Sequence, residues 1–123
     1  MKNAIVTGAT KGIGLAVARM LLKEGYHVVV TYAHDELAAQ KCSRVLSAIS
    51  SEFEIVRADQ SDKEAMREFA LKMQRLDSVD CIVCNAGTTL RCDLESITDE
   101  AWERTMQVNL NSSLYLIRDL YKR

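Results

Sequence analysis

A glycine-rich stretch close to the N-terminus combines the residue types and the spacing that suit phosphate binding. A short apolar run precedes it and an amphipathic segment follows it; the stretch itself reads Thr7-Gly8-Ala9-Thr10-Lys11-Gly12-Ile13-Gly14. A glycine allows positive φ and a close approach of backbone to ligand, and the first turn of a helix offers free N–H groups at the positive end of a dipole. A pyrophosphate group fits such a turn. The alternative is a turn whose glycines serve only tight packing between strand and helix.

Four apolar strands alternating with amphipathic helices must position this turn. The strands are predicted at residues 3–7, 27–32, 53–58 and 79–84. Strict alternation of strand and helix implies right-handed crossovers and a parallel sheet with helices on both faces. We therefore predict an α/β fold, a Rossmann-like three-layer arrangement of about four strands, in one dinucleotide-binding domain over residues 1–123.

The helices are predicted from apolar residues at helical spacing and from capping residues. They cover about 12–24, 35–50 and 61–76, followed by a helical region after Thr98 with a break near 109–113. Asp35 is the expected cap of the second helix, and Ser61 with Glu64 has the form of a capping box for the third. The first helix is expected to bury one stripe, formed by Ile13, Ala16, Val17, Met20 and Leu21.

Glycine and polar residues recur where the predicted strands end. Besides the first turn, these are Tyr32 to His34, Asp59, and Asn85-Ala86-Gly87. In an open parallel sheet a ligand crevice lies outside the carboxyl ends of the strands, so four turns are expected to converge on one edge. A nucleotide site at that edge is the prediction.

Charge and hydropathy exclude several classes of partner. The 16 Lys and Arg residues balance 17 Asp and Glu residues, for a net charge of −1, which gives no electrostatic basis for binding nucleic acid or an anionic membrane. No apolar run approaches the length of about 18 residues that spans a membrane, so a soluble, cytoplasmic protein is expected.

Two cysteines have a spacing that could suggest a metal site. Cys81 and Cys84 stand three apart in a predicted strand and point to opposite faces, so they are interpreted as buried thiols and not as a metal site.

Four motifs together resemble the N-terminal half of the short-chain dehydrogenase/reductase family. They are the Thr-Gly-x3-Gly-Ile-Gly turn, the Asp after the third strand, the Asn-Ala-Gly after the fourth, and Val108-Asn109-Leu110 in the last helical region. The spacing fits from residue 1 to residue 123. The run continuing to Ser113 is most similar to the 3-oxoacyl-[acyl-carrier-protein] reductases, which implies a 3-oxoacyl thioester as one candidate substrate.

The resemblance implies a role for each matching residue. Gly8, Gly12 and Gly14 would shape the coenzyme turn, with Ile13 contributing backbone and Thr7 tying this turn to the fourth one. Asp59 would accept from the exocyclic amine of adenine. Asn85, Ala86 and Gly87 would brace the sheet beside the adenosine ribose. Cys84 departs from the family, which more often has a second asparagine at this position.

Charge at the end of the second strand favours NADP over NAD. An NAD-specific site places a carboxylate there, and this chain has Tyr32, followed by Ala33 and His34. Lys11 resembles a basic residue that NADP-using members keep for the 2′-phosphate. Asp35 and Glu36 lie near in sequence and weaken this argument, and a solvated surface lysine is the alternative.

Of the family's catalytic groups, only the asparagine, Asn109, has a counterpart in this chain. The family uses a tyrosine with a lysine four residues on, and none of Tyr26, Tyr32 and Tyr115 has that lysine. A tyrosine with an unperturbed pKa near 10 is a poor proton donor at neutral pH. We therefore expect a truncated gene product, an engineered fragment or a proteolysed reductase. The full-length protein would act on a small carbonyl or secondary alcohol, whereas this chain alone would be inactive.

Two other functions remain open on the sequence. One is a non-catalytic nucleotide-binding or interaction module that pairs with another chain. The resemblance implies three further strands beside the fourth and two more helices. Without them the fourth strand would be an unpaired edge and the last helix would keep an apolar side uncovered, so self-association through these two elements is expected. The other is a Rossmann-like domain whose glycines serve only packing.

Overall fold

Four parallel strands form the central sheet. The computed structural model describes residues 1–123, and the strands are β1 (Asn3–Val6), β2 (His27–Tyr32), β3 (Phe53–Arg57) and β4 (Cys81–Val83). Their order across the sheet is β3-β2-β1-β4, and every neighbouring pair is parallel. The predicted Rossmann-like α/β fold is therefore confirmed. β4 is shorter than predicted and pairs only with β1, so it is an edge strand.

Helices cover both faces of this sheet. They are α1 (Gly12–Lys23), α2 (Glu36–Ser47), α3 (Lys63–Met73), α4 (Asp99–Met106) and α5 (Ser112–Leu120). A short 3-10 turn, Leu94–Ser96, precedes α4, and a π-helical turn, Gln107–Asn111, joins α4 to α5. The predicted break near 109–113 is thus a change of helical register within a continuous helical segment. None of the helices has the length and apolar composition needed to cross a bilayer.

The strands separate two apolar clusters because successive side chains point to opposite faces. Ala4 and Val6 of β1 face α1 and α2, whereas Ile5 faces α3 and α5. β2 repeats the alternation, with Val28 and Val30 on the first side and Val29 on the second. Burial on both faces explains why β1 and β2 read as continuous apolar runs.

The predicted buried stripe of α1 is wrong in most positions. Ile13 is 79% exposed and Met20 is 56% exposed. The residues that α1 buries are Gly14, Ala18, Leu21 and Leu22. The helix is rotated because Gly14 packs directly against Gly8 and Ala9 of the turn after β1 and against Asn85 after β4, an approach that the absence of a side chain allows.

The predicted capping box of α3 is also wrong. The cap is Asp62, whose side chain accepts the N–H groups of Glu64 and Ala65. Ser61 instead donates both its backbone N–H and its hydroxyl to Asp59 Oδ1, at 2.9 and 2.7 Å. Asp59 therefore holds Ser61 away from the helix.

The cysteines are less buried than predicted. Cys42 in α2 is fully buried, but Cys81 is half-buried and Cys84 is exposed because β4 ends before it. Burial raises the pKa of the Cys42 thiol, which keeps that thiol neutral. No group of three or more His, Cys, Asp or Glu side chains that could hold a metal ion is present.

Candidate coenzyme site

The first turn presents an uncapped helix N-terminus. Gly8 and Gly12 adopt φ values of +60° and +62°, which an L side chain rarely takes. Lys11 occupies the cap position of α1 and makes no side-chain capping bond. The helices α2, α3 and α4, by contrast, are each capped by a side chain, from Asp35, Asp62 and Thr98. The free N–H groups of α1 are therefore available to an anion.

Thr7 fastens this turn to the segment after β4. Its Oγ1 accepts the backbone N–H groups of Asn85 and Ala86, both at 3.1 Å. The side-chain Nδ2 of Asn85 donates back to the carbonyls of Thr7 and Gly8, at 3.1 and 2.9 Å. The link predicted for Thr7 is present in the structure, and it is reciprocal.

Two glycines make this link possible. A Cβ on Gly14 would lie 2.5 Å from Asn85 Nδ2 and 2.9 Å from the carbonyl oxygen of Gly8. A Cβ on Gly8 would lie 2.9 Å from Ala86 Cα. Both positions of the first turn consequently need glycine for close packing. Gly12 has no atom within 4 Å of its ideal Cβ, so only its backbone conformation favours glycine.

A cavity of about 450 Å³ opens at the carboxyl ends of the strands. Eight of the predicted site residues line it: Gly8, Lys11, Tyr32, His34, Asp59, Asn85, Ala86 and Gly87. The structure places the other five outside the lining: Thr7, Gly12, Ile13, Gly14 and Asn109. The glycines and Ile13 belong to the turn beside the cavity, and Thr7 lies beneath it with 1% of its surface exposed.

Several cavity residues were missed from the sequence. They are Thr31, Ala58, Gln60, Ser61, Thr88 and Arg104. Gln60 and Ser61 directly follow Asp59, so their position after a strand was a usable signal. Arg104 lies on α4, far along the chain, and no motif marked it.

Asp59 stands among several polar and charged groups. Its Oδ2 lies 3.1 Å from His34 Nε2, while Oδ1 accepts two bonds from Ser61. Partial burial opposes ionisation, but the bonds from Ser61 and the proximity of His34 and Arg104 outweigh it and hold the pKa of Asp59 below its usual value. Asp59 is therefore a carboxylate at neutral pH, able to accept hydrogen bonds.

Arg57 orients His34. Its Nε donates to the carbonyl of Ala33 at 2.9 Å, and its Nη2 lies 3.4 Å from His34 Nδ1. A guanidinium only donates, so Nδ1 is the acceptor and the proton of the neutral ring is on Nε2, facing Asp59.

Lys11 is paired with an acid at the mouth of the cavity. Its Nζ lies 3.2 Å from Asp35 Oδ2, and both side chains are largely exposed. Hydrogen bonds from the N–H of Ala38 and, to a smaller extent, from Lys11 lower the pKa of Asp35.

Tyr32 is bonded to a second acid beside the cavity. Its hydroxyl donates to Glu36 at 2.9 Å, and this bond raises the pKa of Tyr32. A tyrosine whose pKa is raised is a weaker proton donor at neutral pH.

Asn109 contacts the segment after β4. Its Oδ1 accepts the N–H of Thr88 and its Nδ2 donates to the carbonyl of Thr88, both at 2.8 Å. Asn109 lies in the π-helical turn. Both polar atoms of its side chain are thus used to hold the backbone of Thr88, which lines the cavity.

The fold and this cavity define the class of the protein. A doubly wound parallel sheet with an uncapped first helix facing the carboxyl edge is typical of nucleotide-binding α/β domains. The chain belongs to the short chain dehydrogenase family, whose model matches residues 2–123.

Relatives with different named activities match to a similar extent. Versicolorin reductase 1 of Aspergillus parasiticus is 34% identical over 122 residues, covering 98% of this chain and 47% of its own. The 3-oxoacyl-[acyl-carrier-protein] reductase FabG of Rickettsia conorii is 31% identical over 122 residues, covering 99% of this chain and 48% of its own. The chain therefore spans about half the length of these curated relatives.

Solved structures agree in fold over nearly the whole chain. A metagenomic short-chain oxidoreductase in complex with NADP has a TM-score of 0.88 and 32% identity, with 98% of this chain and 55% of that chain covered. The Pseudomonas aeruginosa RhlG/NADP active-site complex has a TM-score of 0.83 and 32% identity, with 98% and 46% covered. Both of those structures contain NADP.

Proposed function

We propose that residues 1–123 form a single domain that binds NADP(H) as the coenzyme-binding part of a short-chain reductase. The observation that carries the proposal is the uncapped N-terminus of α1 beside a cavity at the carboxyl ends of the strands. The helix end suits the pyrophosphate, and the close packing at Gly8 and Gly14 leaves the turn free of side chains on that side. The NADP complexes of the similar structures support the same ligand class.

Asp59 is proposed to receive the adenine. Its Oδ1 is already used twice by Ser61, so Oδ2 is the atom available to the exocyclic amine. His34 Nε2 now faces Oδ2 at 3.1 Å, so adenine replaces or shares that contact. Asn85, Ala86 and Gly87 then line the adjoining ribose, since they form the opposite side of the cavity.

NADP is proposed over NAD because no carboxylate stands at the end of β2. Tyr32 occupies that position, and its hydroxyl is directed to Glu36. Lys11 supplies a cation at the cavity mouth. Its partner Asp35 is exposed, so a 2′-phosphate can take over the ammonium group without burying an unpaired carboxylate. The alternative ligand, NAD, would gain nothing from Lys11.

Lys11→Met is expected to weaken NADPH binding about tenfold and to leave NADH binding nearly unchanged. Loss of one charge-assisted bond to a phosphate corresponds to about tenfold in affinity, and only NADPH carries the 2′-phosphate. Coenzyme fluorescence in titrations of the 123-residue chain measures both constants.

Lys23→Met, at the other end of α1, is the matched control and should change neither constant. Equal losses for the two coenzymes would contradict a role of Lys11 at the 2′-phosphate. A folded chain that binds neither coenzyme would favour glycines used only for packing.

Hydride transfer is not expected from the 123-residue chain. A bound nicotinamide supplies hydride, but the 123 residues hold no Tyr-x3-Lys, so addition of a ketone should not oxidise the NADPH.

A second candidate function, association with another copy of this chain, is favoured by an apolar stripe on the last helical segment. Its members follow at steps of four, three and four residues and are 50–69% exposed: Leu110, Leu114, Ile117 and Tyr121. Such steps produce the seam by which two helices pack in a coiled coil. A stripe of this kind is self-complementary under a two-fold axis. β4 is an edge strand of the sheet, so its unpaired side is also open to a second copy.

Sedimentation velocity is expected to show a dimer of the 123-residue chain, and Leu114→Asn should convert it to monomer because it places an amide in the middle of the seam. Leu71→Asn changes a leucine of α3 that is 66% exposed, against 55% for Leu114, and should leave the dimer intact. A wild-type chain that sediments as a monomer at every concentration would exclude this association.

A further inference from the structure

Two buried polar side chains join the turn after β3 to the start of α5. Gln60 Nε2 donates to Ser112 Oγ at 2.7 Å, and the two residues are only 6% and 0% exposed. The other polar atom of that amide, Oε1, is buried without a partner. An amide left half unpaired is a poor choice for stability alone, since an apolar pair of the same shape would avoid the desolvation cost. The pair is therefore better explained by a role in positioning the helical segment that begins α5.

The hydroxyl of Ser112 completes the π-helical turn. The backbone N–H of Ser112 donates to the carbonyl of Gln107, five residues back. In an α-helix it would donate to Val108, four residues back. The hydroxyl of Ser112 donates to the Val108 carbonyl instead, at 2.9 Å. The side chain thus replaces the N–H that the π-turn withdraws.

Gln60 holds both ends of this turn. By donating to Ser112 Oγ, its side chain leaves the hydroxyl proton of Ser112 directed at Val108. Its backbone carbonyl also accepts the side-chain Nε2 of Gln107 at 3.3 Å. The residue after Asp59 is therefore bonded to the first residue of the π-turn and to the residue that follows it.

The middle of the π-turn holds the opposite wall of the cavity. Asn109 makes its two 2.8 Å bonds to the backbone of Thr88, and Thr88 continues from the Asn85-Ala86-Gly87 segment. A change of register would rotate Asn109 by one residue and break both bonds together. The position of Thr88 therefore depends on the register that Ser112 and Gln60 maintain.

We propose that Gln60 is a positioning residue that acts through Ser112 to hold the π-helical register of residues 107–111, and thereby keeps Asn109 bonded to Thr88 at the cavity wall. The consequence for coenzyme binding rests on the proposed function; the effect on the register does not. Gln60 directly follows Asp59 and is bonded to both ends of the π-helical turn that contains Asn109. Coenzyme binding at Asp59 and the placement of Asn109 are then linked through Gln60.

Amide hydrogen exchange followed by NMR on the full 123-residue chain tests this without coenzyme. Gln60→Met keeps the length of the side chain and removes the donor. We expect it to speed exchange of the Thr88 N–H and the Asn109 side-chain amide about five- to tenfold relative to the Val29 N–H in the sheet core, as does Ser112→Ala. Ser113→Ala, the neighbouring serine outside this network, should change none of them.

The double variant Gln60→Met/Ser112→Ala should exchange no faster at Thr88 than either single variant, because the two side chains act as one unit. Equal acceleration at Thr88 and Val29 would mean a general loss of stability and would overturn the proposal, as would additive effects. NADPH affinity is the second readout, expected to fall several-fold in Gln60→Met. A wild-type chain that binds no NADPH would overturn the proposed function, while the exchange comparison would still decide the role of Gln60.

Discussion

Gly14→Ala is expected to lower the free energy of unfolding by about 3 kcal/mol, near the upper end for an added methyl group in a packed region. The new Cβ would lie 2.5 Å from Asn85 Nδ2, 2.8 Å from Ala9 Cα and 2.9 Å from the carbonyl oxygen of Gly8. Two of these three atoms belong to the backbone and cannot rotate away. α1 would have to move off the sheet, and the bond from Asn85 to Gly8 would lengthen.

Urea denaturation measures this change, and thermal unfolding should show the midpoint falling by roughly 10 °C. Gly87→Ala is the matched control in the same site. The nearest atoms to its Cβ would be Asn109 Oδ1 at 3.5 Å and the carbonyl oxygen of Asn85 at 4.0 Å, both ordinary contacts, so its stability should stay within about 0.5 kcal/mol of wild type. If Gly14→Ala were as stable as Gly87→Ala, the close approach of α1 to the segment after β4 would be refuted.

The same glycine explains why the buried face of α1 could not be predicted from the sequence, although the fold could. Alternating strand and helix patterns are long-range signals, and they correctly implied a parallel sheet, whereas it was the family resemblance that implied β4 as its edge. The rotation of a helix, however, is decided by its tightest contact. Apolar size placed Ile13 and Met20 inside, whereas the backbone approach at Gly14 turns them to solvent.

The candidate site shows a similar division. Residues next to strand ends could be assigned from the sequence because parallel strands bring their carboxyl ends together, and eight of those residues line the cavity. Arg104 reaches the cavity from α4, and only the tertiary fold brings it there. A local pattern predicts Ser61 as a helix cap, but the carboxylate of Asp59, two residues earlier, competes for Ser61 and leaves the cap to Asp62.

Thr7→Val is expected to destabilise the chain by about 2 kcal/mol while changing its shape very little. Thr7 is 1% exposed, and its hydroxyl oxygen accepts the N–H groups of Asn85 and Ala86. Valine fills the same volume without an acceptor. The N–H of Asn85 retains its bond to the carbonyl of Val83 at 3.0 Å, so the N–H of Ala86 carries the desolvation cost.

Thr10→Val supplies the comparison, because Thr10 is 6% exposed in the same turn and its hydroxyl makes no hydrogen bond to the protein. Urea denaturation should place Thr10→Val within about 0.5 kcal/mol of wild type. Thr7→Ser keeps the acceptor and loses a methyl group, at a cost of about 1 kcal/mol, so it should be more stable than Thr7→Val. The reverse order would mean that the packing of the Thr7 methyl group, and not the hydroxyl link to Asn85 and Ala86, holds the first turn against the fourth.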